Sequence, residues 1–239
     1  MTKKTTTICC ALALLATTAA TPALSQAKNF AGPSIAIGAG YNSLETPVKI
    51  DETDNVDSLT STLTFGGSKQ KFNYLADISY GIELNKDFVM SVGATYDFGK
   101  SESENISGTD SGGDTLTLKG KLKDHYSIYL QPTYLINSST GIFAKASYNF
   151  AKASYTLAAV DESYSVSENV NGWGYGLGVK SFLNNNLFIQ VEGNLTRYDT
   201  TSKTLNSITE TTPGTPDYIY DISSKPEVLS ATISIGYKF

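Results

Sequence analysis

The chain has 239 residues, a net charge of −5, 40% hydrophobic residues, 15 tyrosines and 20 glycines. Its length suits one medium domain. Its acidic balance, which deepens once Lys3 and Lys4 are set aside with the leader described next, argues against nucleic acid as a partner.

Residues 1–27 read as a secretory signal peptide. Lys3 and Lys4 make a short positive region, Ile8 through Ala20 is uncharged and mostly apolar, and Ser25-Gln26-Ala27 supplies small residues before a cleavage point. Cleavage is expected after Ala27, with Ser25 as the alternative site, leaving 28–239 as the mature domain. Cys9 and Cys10 are the only cysteines, and both fall in the leader. The mature chain is therefore expected to carry no thiol and no disulfide. Beyond the leader no run of about 18 apolar residues exists, so no spanning helix is available. Only helices and closed barrels cross a bilayer, and the abundance of Tyr, Gly, Ser, Thr and Asn suits strands.

Eight strand-like segments follow in chain order, each alternating an apolar face with a small or polar one. The first, about Gly32 to Leu44, sets Ile35, Ile37, Ala39 and Tyr41 against Ser34, Ala36, Gly38 and Gly40. The second, about Lys71 to Leu84, sets Phe72, Tyr74, Ile78, Tyr80 and Ile82 against Asp77, Ser79, Gly81 and Glu83. The turn Asn85-Lys86-Asp87 leads to a third, with Phe88, Met90, Val92, Tyr96 and Phe98 opposite Ser91, Gly93, Thr95 and Asp97. A fourth, about Lys121 to Ile136, alternates Tyr126, Ile128, Leu130 and Tyr134 with His125, Ser127, Gln131 and Thr133. Pro132 lacks a ladder donor and predicts a bulge or local distortion there. The fifth sets Ile142, Ala144, Tyr148 and Phe150 against Lys145, Ser147 and Asn149. The sixth sets Trp173, Tyr175, Leu177 and Val179 against four glycines and Lys180. The seventh sets Leu187, Ile189 and Val191 against Gln190, Glu192 and Asn194. The last places Ala231, Ile233, Ile235, Tyr237 and Phe239 on one face.

Three connections are short and rich in Asn, Ser and Asp: after Leu84, after Ile136 and after Leu183. Four are long: about Glu45 to Gln70, Lys100 to Gly120, Leu157 to Glu168, and Asp199 to Lys225. Short and long alternate without exception, as in transmembrane barrels with an even number of antiparallel strands. The bulky apolar face suits lipid, and the small polar face suits a narrow interior. A soluble barrel with an apolar interior is the less fitting reading.

With its final strand ending on Phe239, the chain resembles the small eight-stranded outer-membrane barrels: the OmpA membrane domain, OmpX and the opacity-like surface antigens of Gram-negative bacteria. The resemblance implies an all-β, eight-stranded antiparallel up-and-down transmembrane β-barrel with short periplasmic turns, long extracellular loops and both mature termini periplasmic. It also implies that Tyr237 and Phe239 form a signal read by the barrel assembly machinery. Outer-membrane lipid and lipopolysaccharide would then be partners, together with a host- or cell-surface ligand held by the loops. Fold resemblance identifies architecture better than function.

No catalytic, cofactor-binding or metal site is expected. His125-Tyr126-Ser127 is similar to the His-x-Ser dyad of lipid A deacylase barrels, but no acidic residue follows before Asp161, and alternation turns both groups inward. Alternation also turns Asp77, Asp97 and Lys238 inward, along with Glu83, Lys145, Lys180 and Glu192. The last four lie a few residues from the short-turn end and form a candidate layer of ion pairs that plugs the barrel, since an unpaired buried charge is costly. The first loop clusters Glu45, Asp51, Glu52, Asp54 and Asp57; such carboxylates attract divalent cations only weakly without a ligand spacing. Thr200 to Thr215 is expected to be mobile. The sequence therefore reads as a non-catalytic surface barrel with a structural or adhesive role; the alternative is a narrow porin-like channel or conduit for small molecules.

Overall fold

The computed structural model describes residues 26–54, 59–65, 68–103, 106–109, 115–158, 163–206 and 218–239. Residues 1–25 of the expected leader lie outside the described residues, as do Asp57, Asp161 and residues 207–215. Eight strands form the barrel: β1 (Gly32–Glu45), β2 (Ser68–Asn85), β3 (Phe88–Asp97), β4 (Thr115–Leu135), β5 (Thr140–Ala158), β6 (Ser163–Phe182), β7 (Leu187–Tyr198) and β8 (Glu227–Lys238). Each pairs antiparallel with its sequence neighbour, and β8 returns to β1 with Ile37 opposite Ile235. The sheet is thereby closed and the barrel has no edge.

The three short turns share one device. Asn85, Asn137 and Asn184 each accept a backbone N–H two residues on, through the side-chain oxygen, at 2.9 Å. Asn137 and Asn184 accept a second N–H one residue further, at 2.8 and 2.7 Å. Asx turns of this kind replace the ladder bonds that the chain loses where it reverses.

Burial settles which face meets what. Ile37 and Leu177 are each 67% exposed on the outside, whereas Ser147 and Asn149 inside are 2% and 1% exposed. A soluble barrel would show the reverse. Tyr126 stacks on Phe150, and Tyr148 packs edge-on against Trp173, near the long-loop end. Tyr237 and Phe239 meet edge-on at the other end. These are the two aromatic girdles of a membrane barrel.

Several strands run beyond the segments read from alternation. β5 and β6 continue as one long hairpin, with Ser163 opposite Ala158. Residues of the first and fourth long loops build a separate four-stranded sheet in the spatial order Thr201–Asn206, Tyr218–Ser224, Val48–Asp54, Leu59–Phe65. Thr201–Asn206 is thus a strand where a mobile loop was expected. The physical reason is that Thr- and Ser-rich alternation fits a pleated sheet as well as a solvated loop, and a partner strand distant in sequence decides between them.

Pro132 produces a local distortion and not a bulge. It sits opposite Met90 in an unbroken β3–β4 register, and the β4–β5 register is the same on either side of it, at Leu130–Ala146 and Thr133–Phe143. Gln131 and Pro132 have no partner on β5, so the missing N–H interrupts that ladder locally while the register is kept. The register shift of β4 falls instead between Lys123 and Tyr126, where Asp124 has φ 54°, the mark of a β-bulge.

Candidate functional site

The lumen is layered. At the short-turn end Ala27, Phe30, Ala36, Val89, Leu135, Phe182 and Phe188 form an apolar cluster. Phe30 enters it from the one-turn 3₁₀ helix Gln26–Asn29, its ring 4.9 Å from that of Phe182. Two polar contacts hold this segment in the mouth: Asn29 Nδ2 donates to the Ser138 carbonyl, and Lys238 Nζ donates to the Lys28 carbonyl, both at 2.9 Å. Gly32, at φ 104°, then turns the chain into β1, a conformation that costs glycine little. At the long-loop end a second cluster gathers Leu44, Leu122, Ala151, Ala153, Val170, Tyr198 and Val228.

Between the two apolar layers the interior is polar, with a cavity of ≈ 60 Å³, room for a few waters. Lys145 Nζ donates to Glu192 Oε2 at 3.2 Å and lies 3.2 Å from Oε1, with both side chains buried. The same ammonium sits 4.1 Å over the ring of Tyr129, whose hydroxyl donates to Asp77 at 2.9 Å. Thr95 donates to the other Asp77 oxygen at 2.8 Å. Higher up, Asp97 accepts from Asn42, Asn73 and the Gly99 amide, and lies 3.6 Å from His125 Nδ1. The β6 glycines admit these side chains: a Cβ on Gly174 would lie 2.4 Å from Ser147 Oγ, and one on Gly178 would lie 2.3 Å from the Phe143 ring.

Of the four residues expected to form one charged layer, the structure brings together two. Lys145 and Glu192 pair directly. Lys180 is buried but enters no ion pair among the described residues; its ammonium lies 3.8 Å over Phe188 and 5.7 Å from Phe182. It therefore belongs to the apolar layer, where ring faces stand in for a carboxylate. Glu83 is exposed at the short-turn rim, next to a register shift between Glu83 and Asn85 that takes the end of β2 out of strict alternation. Both placements correct the expected four-membered layer.

Sequence reasoning missed two participants. Tyr129 lies on the inward parity of β4, yet as an aromatic among polar neighbours it gave no signal of a role linking Asp77 to Lys145. The acidic neighbour of His125 is Asp97 from the preceding strand, a cross-barrel-wall pairing that a search downstream of the dyad does not reach. His125 Nε2 is 3.2 Å from Asn149 Oδ1, and Ser127 is buried. Among the described residues no group of three or more His, Cys, Asp or Glu side chains is arranged to hold a metal.

A closed barrel with lipid-facing aromatics outside and a hydrogen-bonded polar interior defines an integral outer-membrane protein. A family model described as outer membrane protein beta-barrel domain matches residues 9–239, and the chain belongs to that family, which places it in the bacterial outer membrane. Among solved structures the chain is similar to the outer membrane protein OprG of Pseudomonas aeruginosa, at 14% identity over 87% of this chain and 96% of that one, with a TM-score of 0.54. Other similar structures are Ail, the attachment invasion locus protein of Yersinia pestis (15% identity, 87% and 99% coverage, TM-score 0.37), and the outer membrane protease OmpT of Escherichia coli (11%, 86% and 97%, 0.48). No curated protein sequence matches. At these identities the likeness speaks for the fold alone.

Proposed function

We propose that the protein is a non-catalytic surface barrel of the outer membrane whose long-loop end faces outward and presents a structural or adhesive surface. The observation that carries this reading is the filling of the lumen: apolar side chains occupy both ends and the Lys145–Glu192 pair lies between them. Eight strands leave an interior just wide enough for side chains, and a barrel packed in this way is suited to display rather than conduction. The four-stranded sheet built from the first and fourth loops supplies the displayed surface. In this reading a cleaved leader exports the chain, Tyr237 and Phe239 serve the assembly machinery, and a host- or cell-surface ligand binds at the loops.

Planar-bilayer conductance of the refolded barrel, set beside cell-binding assays with the loop sheet deleted, tests the proposal. Low conductance together with lost cell binding agrees with it. Large steady conductance in the wild type favours the competing reading, a narrow channel or conduit.

A further inference from the structure

We infer that the leader is cut between Ser25 and Gln26, two residues ahead of the cut expected after Ala27, and that the retained Ala27 seats residues 26–31 as a stopper in the short-turn mouth of the barrel. This cut rests on the proposed reading that a cleaved leader exports the chain.

A leader peptidase reads small side chains at the last and third-last leader positions. A cut after Ala27 presents Ala27 and Ser25; a cut after Ser25 presents Ser25 and Ala23. Both satisfy the rule. Burial gives Ala27 a separate reason to be small. Its side chain is 0% exposed, in the apolar cluster that contains Phe30, Val89, Phe182 and Phe188. A larger side chain would have to displace those neighbours.

The backbone of Ala27 is engaged as well. Its N–H donates to the Lys86 carbonyl, in the turn between β2 and β3, at 3.2 Å. Its carbonyl accepts the amides of Phe30 and Ala31 at 2.9 and 3.0 Å. The wall of the barrel is shaped for the same segment: a Cβ on Gly81 of β2 would lie 2.3 Å from the Phe30 carbonyl oxygen. Glycine there permits the close approach. Ala27 is thus buried, and bonded through both backbone groups to the barrel and to its own turn. Such agreement of local and tertiary demands marks a residue of the folded protein.

A cut after Ala27 would undo these contacts. It would empty the place of the methyl group among the rings. The Phe30 and Ala31 amides would lose the acceptor they share. The new α-ammonium of Lys28, itself a donor, would follow directly on the lost carbonyl and could not replace it. Phe30 would then lack the turn that aims its ring at Phe182. A cut after Ser25 keeps every one of these contacts. Hydrolysis of the Ser25–Gln26 peptide bond consumes one water, leaving a carboxylate on Ser25 of the leader and an α-ammonium on Gln26 of the barrel, with the leader peptidase as catalyst.

The intact mass of barrel purified from outer membranes tests the cut. A chain from Gln26 to Phe239 is expected, free or with the terminal glutamine cyclised by loss of ammonia. A chain beginning at Lys28 overturns the cut between Ser25 and Gln26 and leaves the cleaved-leader reading standing. A chain that keeps Met1 overturns that reading itself. Two substitutions separate the sites: Ala23→Asp should abolish the product beginning at Gln26, whereas Ala27→Phe, on the mature side of the cut, should still yield it. Loss of processing in Ala27→Phe but not in Ala23→Asp overturns the inference. Barrels refolded from chains beginning at Gln26 and at Lys28 then report on the stopper, with heat-modifiable migration showing that both are folded. The form beginning at Lys28 should unfold at lower urea. Val89→Cys, buried in the same cluster and the sole thiol of either chain, should react with a water-soluble maleimide several-fold faster in that form. Equal urea midpoints and equal labelling rates overturn the role given to Ala27.

Discussion

Lys145 and Glu192 meet on the inner face of the barrel over the glycines of β6, with the ammonium 3.2 Å from both carboxylate oxygens. β5 and β7 are not adjacent, so this pair ties together strands that share no ladder. Removing one partner leaves a buried charge without its counterion, which typically costs about 3–5 kcal/mol, whereas replacing both by apolar groups is often neutral. Lys145→Met should therefore lower the urea midpoint of unfolding, and Lys145→Met with Glu192→Leu should recover most of the loss. Equal destabilisation by the single and double variants would show that the pair contributes nothing as a pair.

Lys180 should behave in the opposite way. Its ammonium sits among phenyl rings and enters no ion pair among the described residues. Lys180→Met keeps the apolar stem and removes a desolvated charge, so the midpoint should stay level or rise. A fall as large as that of Lys145→Met would point to a polar partner for Lys180 in the folded barrel.

The two apolar layers act in series. Phe30→Ser should loosen the short-turn end and Tyr198→Ser the long-loop end, because each ring is buried within its cluster. Either change alone should leave single-channel conductance low. The two together should raise it, provided gel migration shows a folded barrel. A large conductance from one change alone would mean that only one layer limits flow.

Glu102 makes the long-loop end sensitive to acid. The hydrogen bond from Lys71, aided by the nearby charges of Lys71, Lys121 and Lys119, holds its carboxyl below the ordinary carboxylate value, against the opposing effect of burial. A depressed carboxylate stabilises the fold above the unfolded-state value, about 4.3 for glutamate, and that contribution is lost as pH falls through the lower folded-state value. Proteolytic protection of the Ser101–Glu102 strand should thus be level above about pH 5 and fall below about pH 4. Glu102→Gln should abolish the pH dependence.

Phe239 is 65% exposed, and its backbone N–H donates to the Pro33 carbonyl at 3.0 Å. The side chain adds little to the folded barrel beyond its edge-on contact with Tyr237. Phe239→Asp should consequently reduce the amount assembled in the outer membrane more than it reduces the stability of barrel refolded in vitro. Parallel losses in both would assign Phe239 a packing role rather than one in assembly.

Much of this architecture was legible in the chain. A strand period of two turns every inward or outward assignment into a parity count, and Asn-rich turns mark where the parity resets. Ile37, Leu177, Ser147 and Lys145 could be placed on their faces for that reason alone. The number of strands, the alternation of short and long connections and the polarity of each face followed from the same local signals.

What parity cannot supply is distance across the lumen or a change of register. Lys145 meets Glu192 rather than Glu83 because the two side chains reach toward each other over the glycines of β6, the strand between β5 and β7, while the irregular end of β2 leaves Glu83 at the rim. Lys180 lies over the rings of Phe182 and Phe188, which pair across the β6–β7 turn, and residues 26–30, which carry no strand pattern, add Phe30 to the same cluster. The loop sheet pairs Val48–Asp54 with Tyr218–Ser224, about 170 residues apart in sequence. These are contacts between segments that no local period connects, and only the closed tertiary structure decides them.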